Sequence, residues 1–311
     1  MDNVNRAAVE LVDEAIDFAD ELNIAVHHLD NEAVVLDFGV VADGGIEAGL
    51  LLAEIQTGGL ATVQTRVDDL AGVTVPFVEL STDQPALALL GCQQSAWILR
   101  ADGFDGLGAG PARVRADNAG AGRYAQASDF DLTVLALEAD TLPDEAVVER
   151  VADATGVGTA SVFLPTAPTA SIVGSVTMAS RAAEVALERF QSLGGDPTAV
   201  LSATGSAPIA PVADDFRTAM ARTNDAIAYG GRAHLVVESA PSGVEAIAFE
   251  SSDAYGESFE TVLDAAEWDL LNVDQSVFAP AQVTVDVRGG PTHAVGGVEP
   301  DRLAALLDLY S

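Results

Sequence analysis

The sequence predicts an α+β protein built from two mixed-sheet domains. Three observations carry that expectation. Short apolar strands and amphipathic helices follow one another without the regular alternation of a doubly wound fold. Hydrophobic residues fill 49% of the 311 positions and mean hydropathy is +0.26, enough for substantial cores. A stretch over 102–124, rich in glycine and poor in large apolar side chains, reads as a domain linker or a binding loop. It divides the chain into 1–124 and 125–311, both of ordinary domain size.

Residues 4–22 read as an amphipathic helix. Val4, Ala8, Leu11, Ala15, Ala19 and Leu22 recur at helical spacing, and Asp2 or Asn3 can cap its start. Strands follow at 24–28 and 33–38. A run containing Gly39, Gly44, Gly45, Gly49, Gly58 and Gly59 then breaks the pattern. Residues 75–80 form a strand with Pro76 near its start, and a helix follows Pro85. Residues 131–137 are a buried strand. Pro143 suits the first turn of a helix running to Ala154. A strand at 161–164 leads through a Pro/Thr/Ala/Ser loop to a helix at 177–193, which Gly194 and Gly195 end. Strands are expected at 199–203, 232–238, 245–250 and 281–287, and a final helix at 299–309. Residues 204–215 and 222–231, rich in hydroxyls, amides and glycines, read either as loops that line a ligand pocket or as ordinary turns with an N-cap at Asp214 or Asp215.

The charge excludes whole function classes. There are 48 acidic and 14 basic residues, a net charge of −34, and every basic residue is arginine. Schiff-base and P-loop lysine chemistry are therefore absent. Nucleic-acid and anionic membrane surfaces are disfavoured, because both need dense positive charge. Acids spread evenly along the chain point to a salt-adapted, halophilic cytoplasm rather than to a cation-binding loop. Cys92 is the single cysteine, consistent with a reducing compartment. The N-terminus shows no signal-peptide pattern, and the apolar stretch 159–180 is broken by Pro165 and Pro168.

Tested for chemistry, most constellations are empty. His27, His28, His234 and His293 form no metal-binding spacing. Gly106-Leu107-Gly108-Ala109-Gly110-Pro111 lacks the dinucleotide fingerprint. Cys92 reads as a small buried hydrophobe. Arg181 and Glu184 are spaced i, i+3 and share a helix face, with Glu188 one turn further on. By itself that pair reads as a solvated salt-bridge face, and the nearly uncharged hydroxyl loop Pro165–Ser175 before it raises the alternative of a ligand pocket wall.

Eight segments in order resemble the methenyltetrahydromethanopterin cyclohydrolases. They are 44–50, 58–63, 82–86, 108–113, 167–172, 204–215, 223–231 and 277–281. They span nearly the whole chain, which departs from the family mainly in surface charge, in its lack of lysine, and at Ala109 where the family tends to have serine. The resemblance implies a cytoplasmic, metal-free homotrimer with no cofactor besides its pterin substrate, and two domains forming a ligand cleft. It implies interconversion of the N5,N10-methenyl and N5-formyl forms of a one-carbon carrier. Arg181 and Glu184 match the family's Arg-x-x-Glu pair. Glu184 would then act as general base toward water and return a proton to N10, with Arg181 holding its carboxylate. Candidate substrate contacts in the resembling segments are Gly108, Gly110, Pro168, Thr169, Ser171, Thr204, Gly205, Asn224, Asp225 and Tyr229. The same chemistry on a tetrahydrofolate-type carrier, or a carrier-binding protein without catalysis, are the alternatives.

Overall fold

The computed structural model describes residues 4–101, 103–125, 129–269 and 272–310. The chain forms two units: one from residues up to Thr62 together with Ala86–Thr177, the other from Val63–Pro85 together with Met178 onward.

The first unit is a seven-stranded mixed sheet. Its strand order is Ala25–His28, Val34–Asp37, Val162–Ala167, Ala136–Glu138, Phe104–Ala109 and Trp97–Ala101, with the short Thr133–Val134 also paired to Val162–Ala167. Val162–Ala167 runs parallel to both Val34–Asp37 and Ala136–Glu138, while the outer pairs are antiparallel. Alternation along the central strands sends successive apolar side chains to opposite faces. Val34, Leu36, Val134 and Ala136 pack against the helices Val4–Asp17 and Ile46–Gln56. Val35, Leu135, Leu137 and Leu164 pack against the helix Glu145–Thr155, whose N-cap Asp144 accepts from the amides of Ala146 and Val147. Helices cover both faces, as the parallel core of the sheet requires.

The second unit is a six-stranded sheet ordered Thr292–Gly296, Gln282–Val287, Arg232–Val237, Val200–Pro208, Val73–Thr82 and Thr62–Leu70. Its Arg232–Val237 and Gln282–Val287 strands are parallel, and Val200–Pro208 is antiparallel to both its neighbours. The helix Ala182–Ser192 packs on Val200–Pro208 and the helix Phe216–Gly230 carries Tyr229 into an aromatic cluster with Phe249 and Tyr255. Asp215 caps the latter helix, accepting from the Thr218 amide at 3.0 Å.

Several expectations are corrected. The 102–124 stretch is neither linker nor open loop: Phe104–Ala109 is an inner strand of the first sheet, so this unit runs past 124 and takes in 129–177. The first helix breaks at Phe18. The segment after Pro85 winds as a π-helix, Ala86–Gln93. Residues 245–250 are two 3-10 turns, Val244–Ala246 and Phe249–Ser251, rather than a strand. Residues 222–230 belong to the helix Phe216–Gly230 and 204–208 to the strand Val200–Pro208, rather than to turns. The expected 177–193 helix is two, Ile172–Ala179 and Ala182–Ser192, with Arg181 at the junction. No described helix is long and apolar enough to cross a membrane.

Candidate active site

Arg181 is the N-cap residue of Ala182–Ser192, and Glu184 lies in that helix's first turn, where a carboxylate meets the favourable end of the helix dipole. The Arg181 Nε donates to Glu184 Oε2 at 2.8 Å. Its Nη1 lies 3.8 Å from Met178 Sδ, a soft contact on its other flank. The Glu184 side chain is 0% exposed and that of Arg181 18%. Burial of a carboxylate is tolerable only with a paired charge. Here one oxygen is held, while Oε1 is buried with no hydrogen-bond partner among the described residues. The result is a carboxyl group fixed in orientation with one acceptor oxygen in reserve. Such an oxygen can take a proton from a water molecule within reach.

The helix carrying this pair is seated on Gly205. A Cβ at Gly205 would lie 2.4 Å from the Ala183 backbone nitrogen and 2.9 Å from its Cβ. No side chain fits there without moving the helix start, and Glu184 is the next residue. Gly195 makes an equally close approach at the far end of the same helix, where a Cβ would lie 2.2 Å from the Phe190 ring. Gly205→Ala should therefore lower kcat by about 10²-fold with thermal stability reduced. Gly195→Ala should lower stability and leave kcat nearly unchanged. Equal kcat losses in both would mean that Gly205 acts through general stability alone.

The remaining sequence candidates fall into separate groups. In the first unit Gly108 packs under Leu135, where a Cβ would meet the side chain at 3.1 Å. Gly110 has φ +123°, and its amide donates to the Cys92 carbonyl at 2.7 Å. Pro168, Thr169 and Ser171 share the loop after the Val162–Ala167 strand. The Ser171 hydroxyl donates to the Pro168 carbonyl at 2.7 Å and accepts from the Gly174 amide at 2.9 Å, opening the Ile172–Ala179 helix. In the second unit Thr204 is exposed, with its hydroxyl 3.5 Å from that of Ser81. Asn224 turns back along its own helix, its Nδ2 donating to the Met220 carbonyl at 2.8 Å. Asp225 Oδ1 accepts from the Phe259 amide at 2.9 Å. The Tyr229 hydroxyl donates to the Glu257 carbonyl at 2.5 Å and accepts from the Gly256 amide at 3.2 Å. Asp225 and Tyr229 thus jointly hold the 256–259 backbone.

A family model described as "Cyclohydrolase (MCH)" matches residues 3–306. The chain belongs to this cyclohydrolase family. It is 50% identical over 305 residues to a methenyltetrahydromethanopterin cyclohydrolase of Halobacterium salinarum, covering 98% of each chain. It is 40% identical over 307 residues to the enzyme of that name from Methanocella arvoryzae, covering 97% of this chain and 96% of the other. It is 38% identical over 316 residues to the one from Methanobrevibacter smithii, covering 97% and 98%.

Within this member of the cyclohydrolase family, sequence reasoning passed over Glu138, whose Oε1 accepts a hydrogen bond from the Thr169 hydroxyl. A carboxylate closing the apolar strand Ala136–Glu138 was the available signal. Asp225 has a further consequence. Burial pushes its carboxyl up to about 7 from an ordinary 3.8, against the lowering effect of the Phe259 amide. A raised folded-state value means the neutral form is favoured in the fold. Its contribution to stability is therefore full below about pH 3.8 and lost as pH rises through about 7. Asp225→Asn keeps the amide contact without the charge. Its melting temperature, relative to the native chain, should climb from pH 4 to pH 7 by about 2–4 °C and then level off. Parallel melting curves across that range would remove Asp225 as the titrating group.

Proposed function

We propose that this chain interconverts N5,N10-methenyl-tetrahydromethanopterin and its N5-formyl form, with Glu184 as the general base. The single observation that carries the assignment of roles is the fully buried Glu184, with Oε2 held by Arg181 and Oε1 unpartnered, in a chain of the cyclohydrolase family.

The substrate's methenyl carbon belongs to an amidinium-like cation and is already electrophilic, so the reaction as proposed calls on no cofactor. Water adds to that carbon as Glu184 Oε1 accepts one of its protons. This gives a neutral carbinol bridging N5 and N10. The carbinol hydroxyl then loses its proton as the C–N10 bond breaks, leaving a formyl group on N5. One of the water's two protons ends on N10 and the other passes to solvent. Glu184 serves both transfers, a contribution of about 10²–10⁴ in rate. Arg181 holds Oε2, so Oε1 stays aimed without reorganising during the step. We also propose a homotrimer, to be checked by light scattering in molar KCl.

The test follows loss of the methenyl chromophore on adding purified protein in molar KCl, with methanopterin and folate carriers side by side. Faster turnover of the methanopterin form is the expected result. Preference for the folate form would reassign the carrier. Inactivity toward both, in folded protein, would overturn the enzymatic reading.

A further inference from the structure

The strands Val34–Asp37, Ala136–Glu138 and Val162–Ala167 run in one direction in the first unit, so Asp37, Glu138 and Ala167 end together at one edge of the sheet. In open α/β sheets ligands bind beyond such carboxyl ends. The two long loops at this edge are fixed from within. The buried Asp37 carboxylate accepts from four successive amides, Gly39 at 2.9 Å, Val40 at 2.6 Å, Val41 at 2.9 Å and Ala42 at 3.0 Å. Gly39 lies so close to the other loop that a Cβ there would sit 3.2 Å from Ser171 Oγ. At the same edge Thr169, 1% exposed, donates its hydroxyl to Glu138 Oε1.

Glu138 itself is only half-buried, and among the described residues that hydroxyl is its one side-chain hydrogen-bond partner. Among the described residues no arginine pairs with it. Arg113 donates to the carbonyls of Leu90 and Gly91, and Arg115 to those of Thr155 and Phe130. A carboxylate accepts hydrogen bonds and donates none, and its two oxygens offer about four lone-pair sites. Held in plane by a buried threonine, it matches a flat partner with two adjacent N–H groups. A pterin has that edge, the N3–H and 2-amino group of its pyrimidine ring, and carboxylates read amino-bearing bases in this way.

We infer that Glu138, oriented by Thr169, binds the N3–H and 2-amino edge of the pterin ring and so selects the carrier's head group. The inference rests on the function proposed above and adds the residue that recognises the substrate. That edge is remote from the methenyl bridge, so Glu138 affects binding rather than the chemical step.

The experiment measures KM and kcat for the methenyl carrier in molar KCl for the native chain, Glu138→Gln and Thr169→Val. It also measures direct binding of two ring probes, 6-methylpterin and 6-methyllumazine, which carries an oxygen in place of the 2-amino group. Glu138→Gln should raise KM by about tenfold or more, with kcat within about threefold. The native chain should bind the pterin at least about tenfold more tightly than the lumazine, and Glu138→Gln should bind the two alike. Thr169→Val should raise KM less, and it provides the test if Glu138→Gln does not fold. An unchanged KM, or a pterin preference that survives in folded Glu138→Gln, overturns the assignment. If the native chain turns over no carrier yet loses its pterin preference on mutation, the catalytic proposal fails and the recognition site stands.

Discussion

Glu184→Gln removes most turnover, by about 10²–10⁴-fold, while affinity for the methenyl carrier holds within about threefold. The substitution is chosen for what it preserves. The amide oxygen can still accept from Arg181 Nε, which now reaches Glu184 Oε2 at 2.8 Å, and side-chain volume is unchanged. What disappears is the oxygen proposed to take water's proton. Glu184→Ala would be a poorer test. It would open a cavity at a fully buried position and leave a guanidinium beside it without its carboxylate, so loss of fold would mimic loss of chemistry. Initial rates and equilibrium binding, measured on protein with native circular dichroism, separate the two effects. Turnover within about threefold of the native chain would place the general base elsewhere.

Arg181 and Glu184 illustrate how far the sequence reaches. Their spacing puts them on one helix face, but an Arg/Glu pair at i, i+3 has the appearance of a solvated surface pair. Only tertiary packing decides that Glu184 is fully buried, and Gly205 beneath Ala183 is what permits it. The strands expected at 131–137 and 161–164 were legible because short apolar runs have few other fates, although the second runs on through Pro165 to Ala167. Phe216–Gly230 was hidden for the opposite reason. Its Arg-Thr-Asn-Asp stretch has turn chemistry, yet Thr223 donates to the Ala219 carbonyl at 2.9 Å and Asn224 to that of Met220. Both side chains bond back onto the preceding turn, so residues that favour turns are absorbed into a helix. Ile46–Gln56 and Phe104–Ala109 were masked by glycines that packing demands. A Cβ at Gly49 would lie 2.6 Å from Val176, and one at Gly106 2.9 Å from the Phe104 ring. At 245–250 the reverse error arises. Ile247 and Phe249 are apolar because each inserts singly into a core from a 3-10 turn, with no strand to align them.

Removing salt should unfold the protein. The 14 arginines cannot neutralise 48 carboxylates: complete pairing would still leave 34 negative charges. Several arginines also spend hydrogen bonds or ring contacts on uncharged groups. Arg113, Arg115 and Arg189 donate to backbone carbonyls, and Arg6 and Arg217 lie over the rings of Phe130 and Trp268. The ion pairs that do form are mostly exposed, such as Arg100–Asp105 and Arg288–Glu238, and are worth little. Self-repulsion therefore falls to the solvent to control. The Debye length is about 30 Å at 0.01 M salt and about 3 Å at 1 M, so dilute buffer lets charges interact across a whole unit while molar salt confines them to contact. Circular dichroism should show loss of helix in dilute buffer and recovery in molar KCl. Screening also makes a prediction about ion type. MgCl2 should restore structure at a fraction of the KCl concentration if charge is the agent, whereas recovery that follows surface exclusion would favour sulfate over chloride at equal ionic strength. Native dichroism in dilute buffer would mean that the apolar cores of the two units outweigh the repulsion of 34 uncompensated charges.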